Sequence, residues 1–318
     1  MTGAPTRDPA LPAFFLVGTG RSGTTLARTI LCGHPEIAIP GETGFLPRLL
    51  RLRRLWWGSD GLRVDPFVRL AFANGRLARA GFDRAALAAD LRARPVATPA
   101  EAVGRIYAQH GALTGARLVG DKTPGYVDHL DLLGRVFPEA SVIQMVRHPL
   151  DVVASLREQP WGPDDVSAAA LVWRLGQQRA ERAGLDPQRR LVVRLEDLTA
   201  DPAATAQRMA AHLGLTLTPG MLDHTSRADR IMAENIHPGS HAGLQRALTS
   251  TSRWADELTP AEAATAWAVV ADVAAPFGYD GPDGVAPGSL LPARARLTAF
   301  EASRGWRRLR TLRRLVRP

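Results

Sequence analysis

The chain has 318 residues, 45% of them hydrophobic, enough for one large α/β core or for one core carrying a helical insertion. A single cysteine, Cys32, excludes an intrachain disulfide framework and suits a reducing compartment. The formal charge of +9 is unevenly placed: residues 294–317 hold nine arginines against one acid, Glu301, which leaves the body close to neutral. Residues 1–12 lack a basic region followed by a long apolar run, and Phe14–Val17 is too short to span a bilayer. The expectation is a soluble cytoplasmic protein.

An apolar strand at 13–17 runs into a glycine-bearing loop, followed by a helix over about 23–32 and a short strand at 37–39. Residues 45–115, rich in Ala, Leu and Arg, read as a helical insertion. Strand character returns at 117–119, 141–146 and 191–194, each time followed by a helical pattern, which implies parallel βαβ units with right-handed crossovers. Ligands of such sheets bind at the carboxyl ends of the strands. Arg21, Glu42, Lys122 and Arg147 fall there, after the first four strands. Pro276–Pro292 reads as a linker to the basic tail.

Gly18 and Gly23 keep the spacing of a Walker A loop, in which backbone N–H groups and a helix N-terminus surround an anion. The Lys-Ser or Lys-Thr that should follow is replaced by Thr24-Thr25, and the nearest cation, Arg21, lies inside the loop. That points away from ATP hydrolysis. The Arg21-Ser22-Gly23-Thr24-Thr25 run resembles the 5′-phosphosulfate loop of sulfotransferases that use 3′-phosphoadenosine 5′-phosphosulfate (PAPS). The resemblance implies a P-loop NTPase-like sulfotransferase fold, α/β with a central parallel sheet flanked by helices. It also implies that Gly20, Arg21, Ser22, Gly23, Thr24 and Thr25 meet the donor.

Further motifs follow in the family's order. Glu42, in Gly41-Glu42-Thr43, lies 21 residues after Arg21 and resembles the base glutamate of the tyrosylprotein sulfotransferase type; His34-Pro35 also matches that type. A helix cap near Phe45 is its bland alternative. Lys122, in Lys122-Thr123-Pro124, resembles the family lysine that approaches the transferred group. Hormone and phenol sulfotransferases place a histidine base two residues after that lysine; Pro124 stands there, which favours Glu42.

Val146-Arg147-His148-Pro149-Leu150-Asp151, with Ser155 eight residues after Arg147, resembles the 3′-phosphate site that separates PAPS from ATP. A Walker B strand would end in an acid for Mg²⁺ where this one ends in Arg147, so no metal is expected. His148 reads as a loop histidine. Val193-Arg194-Leu195-Glu196-Asp197-Leu198 resembles the family's R-Y-E-D-L with Leu195 in the tyrosine's place, and Ser252-Arg253-Trp254 resembles the signature whose cation meets the 3′-phosphate or adenine.

Composition and pattern read residues 1–285 as one catalytic domain with an insertion at about 45–115, and 286–318 as a linker and basic tail; the family resemblance covers residues 14 to about 254 and makes this a sulfotransferase domain. It implies in-line transfer from PAPS, with PAP as product, to an acceptor hydroxyl, Glu42 acting as base and Arg21 and Lys122 as cations. A P-loop kinase and a noncatalytic basic protein are the competing readings. Pro47–Trp57 carries four arginines and two tryptophans, either an acceptor wall or a solvated helix face. The tail's Trp306, Leu309, Leu312 and Val316 share one helical face; docking on the body, contact with an anionic membrane and nonspecific nucleic-acid binding all fit it. No specific nucleic-acid partner is expected.

Overall fold

The computed structural model describes residues 12–234 and 252–315, with side chains through residue 303. The chain divides into two compact units, each discontinuous in sequence: Met1–Gly18, Ser22–Val146 and Arg179–Thr249 form the first, and Thr19–Arg21, Arg147–Gln178 and Ser250–Pro318 the second.

In chain order, β1 (Phe14–Gly18), α1 (Thr24–Leu31) and β2 (Ile37–Ala38) lead into the helical segment α2 (Leu46–Arg51), α3 (Val64–Ala71), α4 (Arg76–Arg79), α5 (Arg84–Ala93) and α6 (Pro99–Thr114). A two-stranded hairpin of β3 (Trp57–Gly58) and β4 (Gly61–Leu62) interrupts that segment. Then come β5 (Leu118–Lys122), α7 (Leu130–Val136), β6 (Ser141–Val146), α8 (Pro149–Arg157), α9 (Val166–Arg182), β7 (Arg190–Arg194), α10 (Leu195–Ala200) and α11 (Pro202–His212). Short helices α12 (Pro219–Leu222), α13 (Thr225–Ala233) and α14 (Trp254–Glu257) precede α15 (Pro260–Ala274) and α16 (Leu291–Leu315).

Five parallel strands in the order β2-β5-β1-β6-β7 form the sheet of the first unit. All strands being parallel, their carboxyl ends share one edge, the ligand edge of open α/β sheets. Side chains alternate across the sheet with a period of two. Phe15, Val17, Val119 and Val142 therefore join one core with Phe45, Trp56, Phe67 and Tyr107. Phe14, Leu16, Leu118 and Ile143 join a second core on the α1 side. Each fully buried Phe contributes about 1.5–3 kcal/mol relative to exposure.

Several helices start where the sequence offers caps. Thr98 accepts the Glu101 N–H before α6, with Pro99 in the first turn, and Gly115 closes that helix at φ 71°. Asp201 accepts the Ala204 N–H before α11. In the second unit α15 opens with a capping box, Thr259 with Glu262. The core of that unit gathers Leu150, Val153, Trp173, Ala266, Val270 and, from the start of α16, Ala293 and Leu297.

The expected strands agree closely with the structure, including β6 residue for residue. β5 reaches further than expected, to Lys122, so that Asp121 and Lys122 belong to the strand itself. Trp306 and the rest of the tail's apolar face lie among side chains outside the described residues.

Candidate active site

β1 ends at Gly18, where the neighbouring strand β6 leaves room only for glycine: a Cβ there would meet the Met145 carbonyl oxygen at 2.5 Å. Gly23 takes φ 85°, and it opens α1 without any side-chain cap. The first N–H groups of that helix are the ones an anion can satisfy. Beside them Ser22 is fully buried, and its hydroxyl has no hydrogen-bond partner among the described residues. A buried orphan hydroxyl carries a desolvation cost of about 1–3 kcal/mol unless a partner arrives. A phosphate oxygen has the chemistry to be that partner, so Ser22, Gly23, Thr24 and Thr25 fit a phosphate cradle.

The side chain of Leu195, first residue of α10, packs under this turn: a Cβ on Gly23 would sit 2.6 Å from its Cδ1. Where the family has tyrosine, this chain thus supports the loop with an apolar contact.

On β5, alternation sends Asp121 and Lys122 to opposite faces. Lys122 points to the α1 side, is fully buried, and its Nζ donates to Glu42 Oε1 at 2.8 Å and to Thr25 Oγ1 at 3.4 Å. Burial pulls the Lys122 ammonium below its ordinary pKa, while the Glu42 carboxylate works the other way. Glu42 keeps 21% of its side chain exposed, so it meets both the buried cation and solvent. The helix after it begins at Leu46, with Phe45 in the cap position and no side-chain cap bond. The capping role for Glu42 is therefore not what the structure shows; its partner is Lys122.

Asp121, buried on the opposite face, accepts hydrogen bonds from Thr43 (2.6 Å), Tyr107 (2.6 Å) and Thr123 (2.8 Å). Burial raises its pKa, opposed by those hydroxyl donors. Thr43 follows Glu42 and Thr123 follows Lys122, so one carboxylate ties down both segments that carry the ion pair. Sequence reading missed Asp121. Its only signal was an acid just past an expected strand, next to a motif lysine.

In the second unit, Arg21 Nε donates to Ser155 Oγ at 2.9 Å. Arg21 has φ 73° and is alone among the described non-glycine residues in taking positive φ. Such a conformation costs of order 1–3 kcal/mol and tends to mark functional sites. Burial lowers its pKa, and the charge of Arg147 adds to that. Arg147 Nη2 lies 3.8 Å from Asp151, one turn along α8, and the Trp173 indole donates to the Arg147 carbonyl at 3.1 Å.

Asp151 accepts the backbone N–H groups of Arg253 (2.8 Å) and Trp254 (3.0 Å), which brings the Ser252-Arg253-Trp254 segment to α8. The Arg253 guanidinium itself pairs with Glu257 at 2.9 Å and is largely exposed. The structure thus groups Arg21, Arg147 and Ser155, and adds the backbone of Arg253 rather than its side chain.

His148 is more than a loop residue. Its Nδ1 accepts the Leu150 N–H at the start of α8, and its Nε2 donates to the Asp280 carbonyl at 2.8 Å. Its ring stacks on Trp254 and Trp267, at 5.9 and 6.1 Å. Both nitrogens are used in packing. Among the described residues no group of three or more His, Cys, Asp and Glu could hold a metal ion. No helix among them is long and apolar enough to cross a membrane.

Human protein-tyrosine sulfotransferase 1 is 31% identical over 137 residues, 43% of this chain and 31% of that protein. Nodulation protein NoeE of Sinorhizobium fredii is 33% identical over 154 residues, 48% of this chain and 32% of its own. The chain thus spans about a third of the length of these relatives. Among solved structures, the sulfotransferase domain of the Synechococcus PCC 7002 olefin synthase superposes with a TM-score of 0.57 at 24% identity, over 85% of this chain and 96% of that one. The sulfotransferase domain from the curacin biosynthetic pathway gives 0.56 at 21% identity, over 86% and 99%. Both likenesses concern the fold: a parallel sheet flanked by helices. The family model "Sulfotransferase family" matches residues 12–219, which include the phosphate loop, the Glu42–Lys122 pair and the Arg147 and Ser155 positions, and on that match the chain belongs to the sulfotransferase family.

Proposed function

We propose that the chain moves the sulfuryl group of PAPS to the hydroxyl of a small acceptor molecule, using residues 1–285 as its catalytic body. The observation that carries this reading is the Lys122–Glu42 pair at 2.8 Å, held at the end of β5 beside Thr25 of an uncapped phosphate loop. PAPS supplies an activated sulfuryl group on a phosphate leaving group and departs as PAP. Ser22, Gly23, Thr24 and Thr25 hold the 5′-phosphate by hydrogen bonds from backbone and hydroxyl groups.

Arg147 and Ser155 take the 3′-phosphate in this reading, and the backbone bond of Arg253 to Asp151 supports a neighbouring role for that segment. Glu42 takes the proton of the acceptor hydroxyl as the new S–O bond forms. Lys122 and Arg21 stand against the charge that builds on the sulfuryl and bridging oxygens. Arg21 serves as a fork of donors that stays charged.

Thermal unfolding in the presence of PAP, ATP or AMP tests this reading. Selective stabilisation by PAP is expected, because it alone offers a 3′-phosphate to Arg147 and Ser155. A larger shift with ATP would replace the reading with a P-loop kinase.

The basic tail is assigned a separate role, peripheral contact with an anionic surface, while its first turns dock. Leu297 is buried in the second unit's core, and Arg296 donates to Ser167 at 3.1 Å. Deleting residues 294–318 is therefore expected to lower the melting temperature by a few degrees. A variant ending at Ser303 keeps the docked turns and still loses seven of the nine arginines. It is expected to lose sedimentation with phosphatidylserine vesicles at low salt, each arginine near the surface contributing about 1 kcal/mol. Full-length protein that stays in the supernatant at low salt would remove the membrane role.

A further inference from the structure

The first unit holds a cavity of about 550 Å³, within the roughly 300–1,000 Å³ range of small-ligand sites. Its wall is cationic. Arg48 and Arg51 come from one face of α2, three residues apart, Arg76 opens α4, and His129 follows β5 in the chain. The Arg76 guanidinium lies over Gly44, where a Cβ would meet its Nη1 at 2.5 Å. Arg51 Nη2 lies 3.2 Å from His129 Nδ1. Burial, and then the Arg51 charge, hold that imidazole below its ordinary pKa, so the neutral ring accepts from Arg51 and aims it.

Among the described residues no carboxylate lines this cavity, and none of the three arginines has an acidic partner. Elsewhere in the same unit exposed arginines do find carboxylates, as Arg92 does with Asp65 and Arg179 with Asp128. Three guanidiniums gathered around one concavity repel each other unless an anion joins them, and the guanidinium fork matches phosphate oxygens in pairs. The cavity also adjoins the ion pair through the chain. Gly44, two residues past Glu42, donates its N–H to Thr123 Oγ1 at 3.3 Å, Thr123 follows Lys122, and both residues line the wall.

We propose that this cavity is the acceptor site and that the acceptor is a small hydroxyl compound bearing a phosphoryl group, gripped by Arg48, Arg51 and Arg76 with its hydroxyl directed to Glu42. The proposal rests on the sulfotransferase reading above. It adds the acceptor's chemical class and names residues that no family motif contains.

Titration calorimetry on protein saturated with PAP tests it, since the nucleotide then fills its own phosphate sites. The probes are phenyl phosphate, benzoate and phenol. Phenyl phosphate is expected to bind at least ten-fold tighter than benzoate, with phenol undetectable. The Arg48→Ala/Arg76→Ala double variant is expected to bind phenyl phosphate at least ten-fold more weakly while its PAP affinity, which also reports an intact fold, stays unchanged. Equal binding of phenyl phosphate and benzoate, or a double variant that binds phenyl phosphate like the parent, overturns the proposal alone. Failure of the parent protein to bind PAP overturns the sulfotransferase reading and this one with it.

Discussion

Glu42→Gln is expected to bind PAP with unchanged affinity and to lose about 100-fold or more in kcat, the scale of a removed general base. The substitution is nearly isosteric. It keeps an oxygen to accept from Lys122 Nζ, now at 2.8 Å from Glu42 Oε1, but it removes both the basic site and the negative charge. A second effect follows from that charge. Burial already depresses the Lys122 pKa and the Glu42 carboxylate counteracts it, so the variant's lysine should lose its proton at lower pH than the parent's.

The two effects separate in a pH–rate profile. Loss of the base lowers kcat at every pH. Loss acting through Lys122 moves the alkaline limb to lower pH. A variant that turns over like the parent would take Glu42 out of the mechanism, and a profile altered only on its alkaline side would reduce it to the counter-ion of Lys122.

The parts of this site that could be read from the sequence are those written as contiguous runs. Arg21–Thr25 and Val146–Asp151 each join an apolar strand to a polar turn, and the continuous apolar runs and the helical patterns after them place both correctly. β5 shows where such reading stops. Its last residues are Gly120, Asp121 and Lys122, which have poor strand propensity, and what keeps them extended lies far away in sequence. Asp121 is satisfied by Thr43, 78 residues upstream, and by Tyr107, while Lys122 is satisfied by Glu42, 80 residues upstream. No local window contains Thr43 or Glu42.

Asp151 is similar, because its bonds to the Arg253 and Trp254 N–H groups bridge about 100 residues. The β3–β4 hairpin inside the helical segment, by contrast, had a local signal. Gly58-Ser59-Asp60-Gly61 is a two-residue turn between short strands, obscured by the arginine- and leucine-rich helical pattern before it. The cationic cavity was half visible. Arg48 and Arg51 stand out in the sequence, but Arg76 and His129 join them only through the fold.

Arg147→Ala is expected to weaken PAPS binding by about 1.5–3 kcal/mol, roughly 10- to 150-fold, while hardly changing the affinity for adenosine 5′-phosphosulfate, which lacks the 3′-phosphate. The selectivity of the loss is the informative part. In the free protein the Arg147 guanidinium lies 3.8 Å from Asp151 and 3.5 Å from the Arg21 carbonyl. Removing it leaves Asp151 with its two backbone donors, so the Arg253–Trp254 segment should stay in place. It also relieves Arg21 of a neighbouring like charge that lowers its pKa, which favours rather than hinders the remaining contacts. Ser155→Ala should show the same preference for the shorter donor with a smaller loss, since a hydroxyl offers one neutral hydrogen bond where the guanidinium offers a charged pair. Calorimetric titration of both donors against both variants decides the matter: equal losses for the two nucleotides would mean that Arg147 supports the fold or grips another phosphate, and the assignment of the 3′-phosphate to Arg147 and Ser155 would fall.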